Sequence, residues 1–267
     1  MNAPDDLSYR TDFIFHHHNG EVEEHADYWV VRTPDNPTFW FGNFILFKRA
    51  PKSTDLKPWL EIHREAFGDT LNHHIFGWDE SREGAISAFL ADGFKTSHGI
   101  SLVMNEYPMA VSINPAVTVR PILTDEDWEA VLLEQGLVDR IDFNYPEDNG
   151  VFRRNQMMAY RKLIENGRGH WWGAFLNEGL VGDMGLFFDE QNEVGRFQNV
   201  STHPAHRREL ICTTLLDHIV RHAFEEIRAK QLVICTGAED DNAAIPTYQN
   251  FGFQFAAPNF AVKRIGS

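Results

Sequence analysis

Between Val194 and Ile227 the sequence changes its period abruptly. Val194–Thr202 reads as a strand, His203-Pro204 stops it, Arg207 and Arg208 follow, and apolar residues from Leu210 to Ile227 then recur at helical spacing. A strand that runs at once into a long amphipathic helix confines the chain to α/β architectures, because the helix must bury its apolar stripe on a sheet. Such a turn also exposes the first backbone N–H groups of the helix, which have no partners within it. With the positive end of the helix dipole and two arginines beside it, the turn suits a pyrophosphate; read alone, it is equally a solvated basic turn capping an ordinary helix.

The flanking segments extend the alternation. In the first half, strands are expected at Tyr28–Arg32, Thr38–Phe47, His73–Trp78 and His98–Met104, with helices at Leu56–Phe67 and Gly84–Leu90. Asn105–Ala116 holds two prolines and no helical period, so it reads as a linker. The second half opens with a strand at Val117–Pro121. Thr124 then caps a helix, with Asp127 three residues on in the manner of a capping box. A helix at Arg154–Glu165 leads to strands at His170–Leu176, Leu180–Phe188 and Val194–Thr202. The helix Leu210–Ile227, a strand at Gln231–Cys235, a helix at Ala243–Asn250 and a strand at Phe253–Val262 complete the order. This is a mixed α/β arrangement around a central sheet, in two parts covering residues 1–112 and 117–267.

The parts share a string. Ala85–Phe94 (AISAFLADGF) aligns without gaps on Ala244–Phe253 (AIPTYQNFGF), with Ala-Ile and Gly-Phe coincident and an aromatic at the fifth position of both. Matching strand-like flanks point to an internal duplication.

At this point the chain resembles the GNAT acyltransferases. That family carries an apolar-x-apolar-x-Pro strand end, a loop of the form Arg/Gln-x-x-Gly-x-Gly/Ala, and then a helix. Val200, Thr202 and Pro204 stand at the strand-end positions, and Arg207-Arg208-Glu209-Leu210-Ile211-Cys212 stand at the loop. The family's second signature is matched by Asp241 and by Ala244 through Phe253. The resemblance covers about Val117 to the C-terminus and implies two GNAT-like halves in tandem, the first degenerate. It implies acetyl-CoA as co-substrate and transfer of its acyl group to a primary amine of a small molecule or peptide. Val200, Ser201 and Thr202 would face the pantetheine arm. Arg207, Arg208, Glu209, Leu210, Ile211, Cys212 and Thr213 would surround the pyrophosphate, with Asp241 also at the cofactor. Tyr248 falls at the general-acid position, where a phenol can return a proton to the departing thiolate. Its counterpart Phe89 has no proton to give, and Lys48–Trp59 lacks the loop pattern. Leu210 departs from the family glycine: the site survives if its side chain turns into the core, and otherwise the Cβ obstructs the phosphate. That departure motivates the rival reading, a non-catalytic acyl-CoA sensor or interaction module. A base for the amine is expected among Asp183, Glu193 and Glu239, and the acidic loop Asp139–Asn149 lies where the family often builds its acceptor site.

Composition narrows the partners. A formal charge of −15, from 24 Lys and Arg against 39 Asp and Glu, disfavours nucleic acid and suits a cationic amine. Two cysteines, Cys212 and Cys235, make no disulfide framework or Cys-x-x-Cys site. His16-His17-His18 and His73-His74 lack ligand spacing, so no metal is expected. With no apolar run long enough to span a bilayer and no signal-peptide pattern, a cytoplasmic setting away from membranes is expected, and the resemblance allows a homodimer.

Overall fold

The computed structural model describes residues 2–108, 111–143, 150–189, 191, 193–239 and 242–266. The chain divides into two compact units: residues 1–101, 235–242 and 255–267 form the first, and residues 102–234 and 243–254 the second.

In the first unit, α1 (Leu7–Asn19) leads to β1 (Glu21–Glu24), β2 (Tyr28–Arg32) and β3 (Phe44–Phe47), then α2 (Leu56–Phe67), β4 (His73–Trp78), α3 (Ser87–Ala91) and β5 (Lys95–Met104). The C-terminal strand β11 (Gln254–Ile265) completes the sheet in the order β1-β2-β3-β4-β11-β5. β1, β2 and β3 form an antiparallel meander, β4 runs parallel to β3, and β11 is antiparallel to β4. Strand alternation sorts the core into two layers. Val30, Ile45, Phe47 and Phe76 pack with Trp59 of α2 and Phe89 of α3. Trp29, Val31, Phe44, Leu46 and Ile75 face the opposite way and pack with Tyr9 and Phe13 of α1.

The second unit repeats the plan. β6 (Thr118–Pro121), α4 (Asp125–Phe143) and α5 (Gly150–Glu165) precede β7 (Gly169–Leu176), β8 (Gly179–Phe188) and β9 (Val194–Thr202). Then come α6 (Ile211–Arg221), β10 (Gln231–Gly237) and α7 (Ala244–Phe251). β6 to β9 are an antiparallel meander, and β10 is parallel to β9. Trp171 and Trp172 point to opposite faces, and both are buried. Trp171 packs against Trp128 of α4 and Tyr160 of α5, whereas Trp172 meets His218 of α6. The capping box is reciprocal: Asp127 N–H donates to Thr124 Oγ1 at 3.1 Å, and Thr124 N–H donates to Asp127 Oδ2 at 3.2 Å.

Three expectations need correction. α1 and β1 are elements that the sequence reading lacks. Thr38–Phe47 is a strand only from Phe44, because Asn43 holds a turn before it: its side chain accepts from Thr33 N–H and donates to the carbonyls of Asn36 and Phe39. The helix expected to Ile227 ends at Arg221 and continues as a π-helical turn over His222–Ile227.

The duplicated string builds the same helix end twice. Phe94 N–H donates to Phe89 O and Phe253 N–H to Tyr248 O, each at 3.0 Å. Gly93 (φ +85°) and Gly252 (φ +125°) occupy the positive-φ position between them, which closes a helix at little cost only without a Cβ.

Candidate active site

The turn from β9 to α6 runs from His203 to Leu210. Its carbonyls are taken internally. Asn114 Nδ2 donates to Glu209 O at 2.9 Å, while Leu210 O accepts from Thr214 N–H and from Thr214 Oγ1. Asn114 N–H in turn donates to Thr214 Oγ1. Among the described residues, the backbone N–H groups of Arg207 through Thr213 make no hydrogen bond. Asn114 and Thr214 were outside the sequence reading, because their contribution depends on contacts between distant segments.

The loop side chains are unequal. Arg207 is tied to Asp142 of α4 at 2.6 Å, and Glu209 to His206 at 3.1 Å. Arg208 is exposed and has no ion pair among the described residues. Arg208 and Leu210 both hold left-handed backbone, at φ +65° and φ +60°. Leu210 therefore keeps the conformation for which the family uses glycine, with a side chain present. That side chain does not turn into the core: it is 43% exposed, and Ile211, Leu215 and Leu216 fill the apolar face of α6 instead. Ile211 packs against Gly182, where a Cβ would come within 2.9 Å of it.

β9 contributes a β-bulge that the sequence does not signal. Its register with β8 shifts between Asp183, opposite Ser201, and Gly185, opposite Gln198. Asn199 sits in the extra segment at φ +49°. α4 and α5 pin it, with Gln135 Nε2 donating to Asn199 O and Asn199 Nδ2 donating to Gln156 Oε1, both at 3.2 Å. The register with β10 covers residues 194–196, while Ser201 and Thr202 pair with β8 and Val200 falls in the bulge. Val200 and Thr202 are half-buried, while Ser201 is buried with its hydroxyl turned onto Glu134.

Tyr248 projects from α7 and is 5% exposed, with Phe253 across its ring. Its hydroxyl makes no hydrogen bond among the described residues. Burial, reinforced by the nearby Cys212, holds its pKa well above 10, so the phenol carries its proton at neutral pH. Burial also pushes the Cys212 thiol up to about 12. Asp241 and residues 144–149 of the acidic loop lie outside the described residues; Asp139 is drawn into a bidentate pair with Arg153.

Of the three carboxylates considered as base, two are surface groups. Glu193 pairs with Lys230, and Glu239 is exposed. Asp183 is wholly buried, accepting on Oδ1 from Gln135 Nε2 and Trp171 Nε1, each at 2.9 Å.

The equivalent turn in the first unit is closed. The Asp55 carboxylate binds Arg49 and the N–H of Lys52, and Glu80 takes the N–H of Ala50. Two amides of this turn, those of Ala50 and Lys52, are therefore taken by the chain's own carboxylates. Phe89, at the position of Tyr248, is fully buried beside Trp59 and Phe94.

The bulged strand β9, the turn that follows it and the buried Tyr248 of α7 belong to one α/β unit. Residues 138–253 match the model of the Acetyltransferase (GNAT) family, and this part of the chain belongs to that family. Three solved structures resemble nearly the whole chain at low identity and so bear on the fold. A functionally unknown conserved protein from Staphylococcus epidermidis ATCC 12228 is 11% identical, with 94% of this chain and 96% of that chain covered and a TM-score of 0.73. A GCN5-related N-acetyltransferase from Kribbella flavida is 15% identical over 93% of this chain and 91% of its own, with a TM-score of 0.62. A tandem GNAT protein from the clavulanic acid biosynthesis pathway is 15% identical over 93% and 84%, with a TM-score of 0.52. No curated protein matches the sequence. Among the described residues, no group of three or more His, Cys, Asp or Glu could hold a metal ion, and no helix is long and apolar enough to cross a membrane.

Proposed function

We propose that the second unit is an N-acyltransferase that takes acetyl from acetyl-CoA and passes it to a primary amine of a small molecule or peptide. The observation that carries this reading is the run of N–H groups from Arg207 to Thr213 without partners among the described residues, beside the carbonyls of Glu209 and Leu210 that are satisfied from within. These seven amides lead into and open α6, and with Arg208 beside them they fit a pyrophosphate. Bound acyl-CoA supplies the activated thioester. The chain's contribution is to align it along β9 and to hold a proton on Tyr248 for the leaving sulfur.

The raised pKa of Tyr248 matters in two ways. It keeps the donor loaded at neutral pH, but it makes the phenol a weaker acid than an ordinary thiol. Transfer therefore suits a sulfur enclosed in the same apolar surroundings, where burial makes the thiolate a stronger base as well. The first unit, with its turn closed by Asp55 and Glu80, serves as scaffold.

Release of free thiol from acetyl-CoA across a panel of primary amines tests the reading. Tyr248→Phe should lower kcat about a hundredfold while leaving acetyl-CoA affinity within twofold, in line with removal of one general acid. The exposed Leu210 favours a second reading, an acyl-CoA sensor; that protein would bind acetyl-CoA, release no thiol, and be indifferent to Tyr248→Phe.

A further inference from the structure

Beneath the bulge of β9 lies a buried acid cluster to which the transfer step described above gives no role. Ser201 Oγ lies 2.8 and 2.6 Å from the two carboxylate oxygens of Glu134, so its single proton points at that carboxylate and its lone pairs point away. Glu134 is 5% exposed on α4, and beyond it lies Asp183 of β8 at 0%. Asp183 Oδ1 is saturated by Gln135 and Trp171. Oδ2 is buried, finds no N–H or side-chain hydroxyl donor among the described residues, and faces the Glu134 carboxyl. Two carboxyls in contact in a buried site cannot both be ionised, so one proton is shared between them. The donors on Oδ1 and their lack on Oδ2 put that proton on Asp183 Oδ2, directed at Glu134. Burial and the adjacent Glu134 accordingly raise Asp183 well above the carboxylate range.

The other polar groups packed here are already engaged. Arg153 of α5 is held by Asp139 and Gln156, and Tyr160 accepts from Gln198 of β9. The cluster thus leaves one line running from β9 inward: Ser201, Glu134, Asp183.

We propose that this line is the proton exit for the acceptor amine, with Ser201 as the residue that touches it and Glu134 and Asp183 as positioning residues behind. The proposal rests on the N-acyltransferase reading. An alkylamine arrives as an ammonium and must shed protons before and during attack. Its nitrogen gives one proton to Ser201 Oγ while the hydroxyl proton of Ser201 passes to Glu134, which later returns it to solvent. The nitrogen then bonds to the acyl carbon as the carbon–sulfur bond breaks. Tyr248 gives its proton to the sulfur and recovers the surplus one from the nitrogen. Asp183 supplies a neutral donor that holds Glu134 as the accepting partner.

The test uses the full-length protein, acetyl-CoA, and two amine probes: a primary alkylamine, and hydrazine as a weaker base that needs less help in losing a proton. Ser201→Ala and Glu134→Gln should lower kcat/KM for the alkylamine at pH 7 about a hundredfold, with acetyl-CoA affinity unchanged. The deficit should close as pH approaches about 10 and should be small for hydrazine at any pH. Ser201→Thr keeps the hydroxyl and Asp183→Asn keeps both an acceptor and a donor, so both should stay within a few-fold of the native rate. An infrared band of a protonated carboxyl, present at pH 7 and lost in Asp183→Asn, reads the same cluster without turnover. Equal losses at every pH and for both probes would make the residues merely structural and overturn the proposal, as would absence of the band. Native turnover that is insensitive to all four variants would overturn the relay alone. Native protein that binds acetyl-CoA and acylates neither probe would overturn the acyltransferase reading and the relay with it.

Discussion

Replacing Leu210 with glycine probes the least expected residue of the site. Leu210 holds φ +60° and ψ +20°, a left-handed conformation that costs a residue with a Cβ about 1–2 kcal/mol. Glycine removes that cost but adds about 0.4–1 kcal/mol of unfolded-state entropy. It also loses the buried part of a side chain that is 43% exposed, roughly 1 kcal/mol. These contributions nearly cancel, so stability should change by no more than about 1 kcal/mol and the thermal midpoint by about 2–4 °C in either direction. Affinity should respond differently. Removing the side chain opens the amides on either side of it, and one further hydrogen bond from an N–H to a phosphate is worth about 1.5–3 kcal/mol. Calorimetric titration with acetyl-CoA should therefore show a gain of roughly ten- to hundredfold over the native protein. Unchanged or weaker affinity in a variant that melts within that range would refute the placement of Leu210 over the phosphate site.

Two further outcomes follow from other parts of the molecule. Arg208→Ala should weaken acetyl-CoA binding about tenfold and flatten its salt dependence, because Arg208 is the arginine of the turn without an ion pair among the described residues; Arg207→Ala, which frees Asp142, should weaken it less. Asp6, the N-cap of α1, is raised by burial from 3.8 to about 6, so the folded chain holds that proton more tightly than the unfolded chain. Stability should then fall as pH rises from about 4 to about 6, by up to about 3 kcal/mol. In urea unfolding at pH 4, 6 and 8, Asp6→Asn should make that slope shallower than in the native protein while still capping Ser8 and Tyr9; a slope identical to the native one would remove Asp6 as a source.

How much of this was legible in sequence depended on how local each determinant is. The β9–α6 turn could be placed because a strand period, a proline and a helical period adjoin, and Tyr248 could be singled out because Ala244 through Phe253 resembles the family's second signature. The capping box at Thr124 rests on two residues three apart, and it formed as read. α1 escaped notice because its core residues Tyr9, Phe13 and His16 share the segment with Arg10, Asp12 and two further histidines, which blur the apolar stripe. Thr38–Phe47 looked like one strand because its aromatics satisfy a strand pattern, while the turn is imposed by hydrogen bonds of Asn43 to residues four to ten positions away. The bulge at Asn199 and the Ser201–Glu134–Asp183 line are matters of register and of contacts between distant elements. Of these, Asp183 is the one the sequence offers, alongside Glu193 and Glu239 as a carboxylate on a neighbouring strand, and its burial depends on the packing of α4 against β8. Leu210 stands out in the sequence as the departure from glycine, but that its side chain stays at the surface follows from its exposure in the fold.

The central claim is that the turn from Arg207 to Thr213 binds the pyrophosphate of acyl-CoA. It is tested most directly by titrating the native protein with acetyl-CoA in a calorimeter, with dephosphorylated pantetheine as the control. Micromolar binding of acetyl-CoA, and binding at least a hundredfold weaker for pantetheine, is the result expected if those amides hold phosphate. Equal affinity for the two, or no binding of acetyl-CoA by either the native protein or Leu210→Gly, would contradict the assignment.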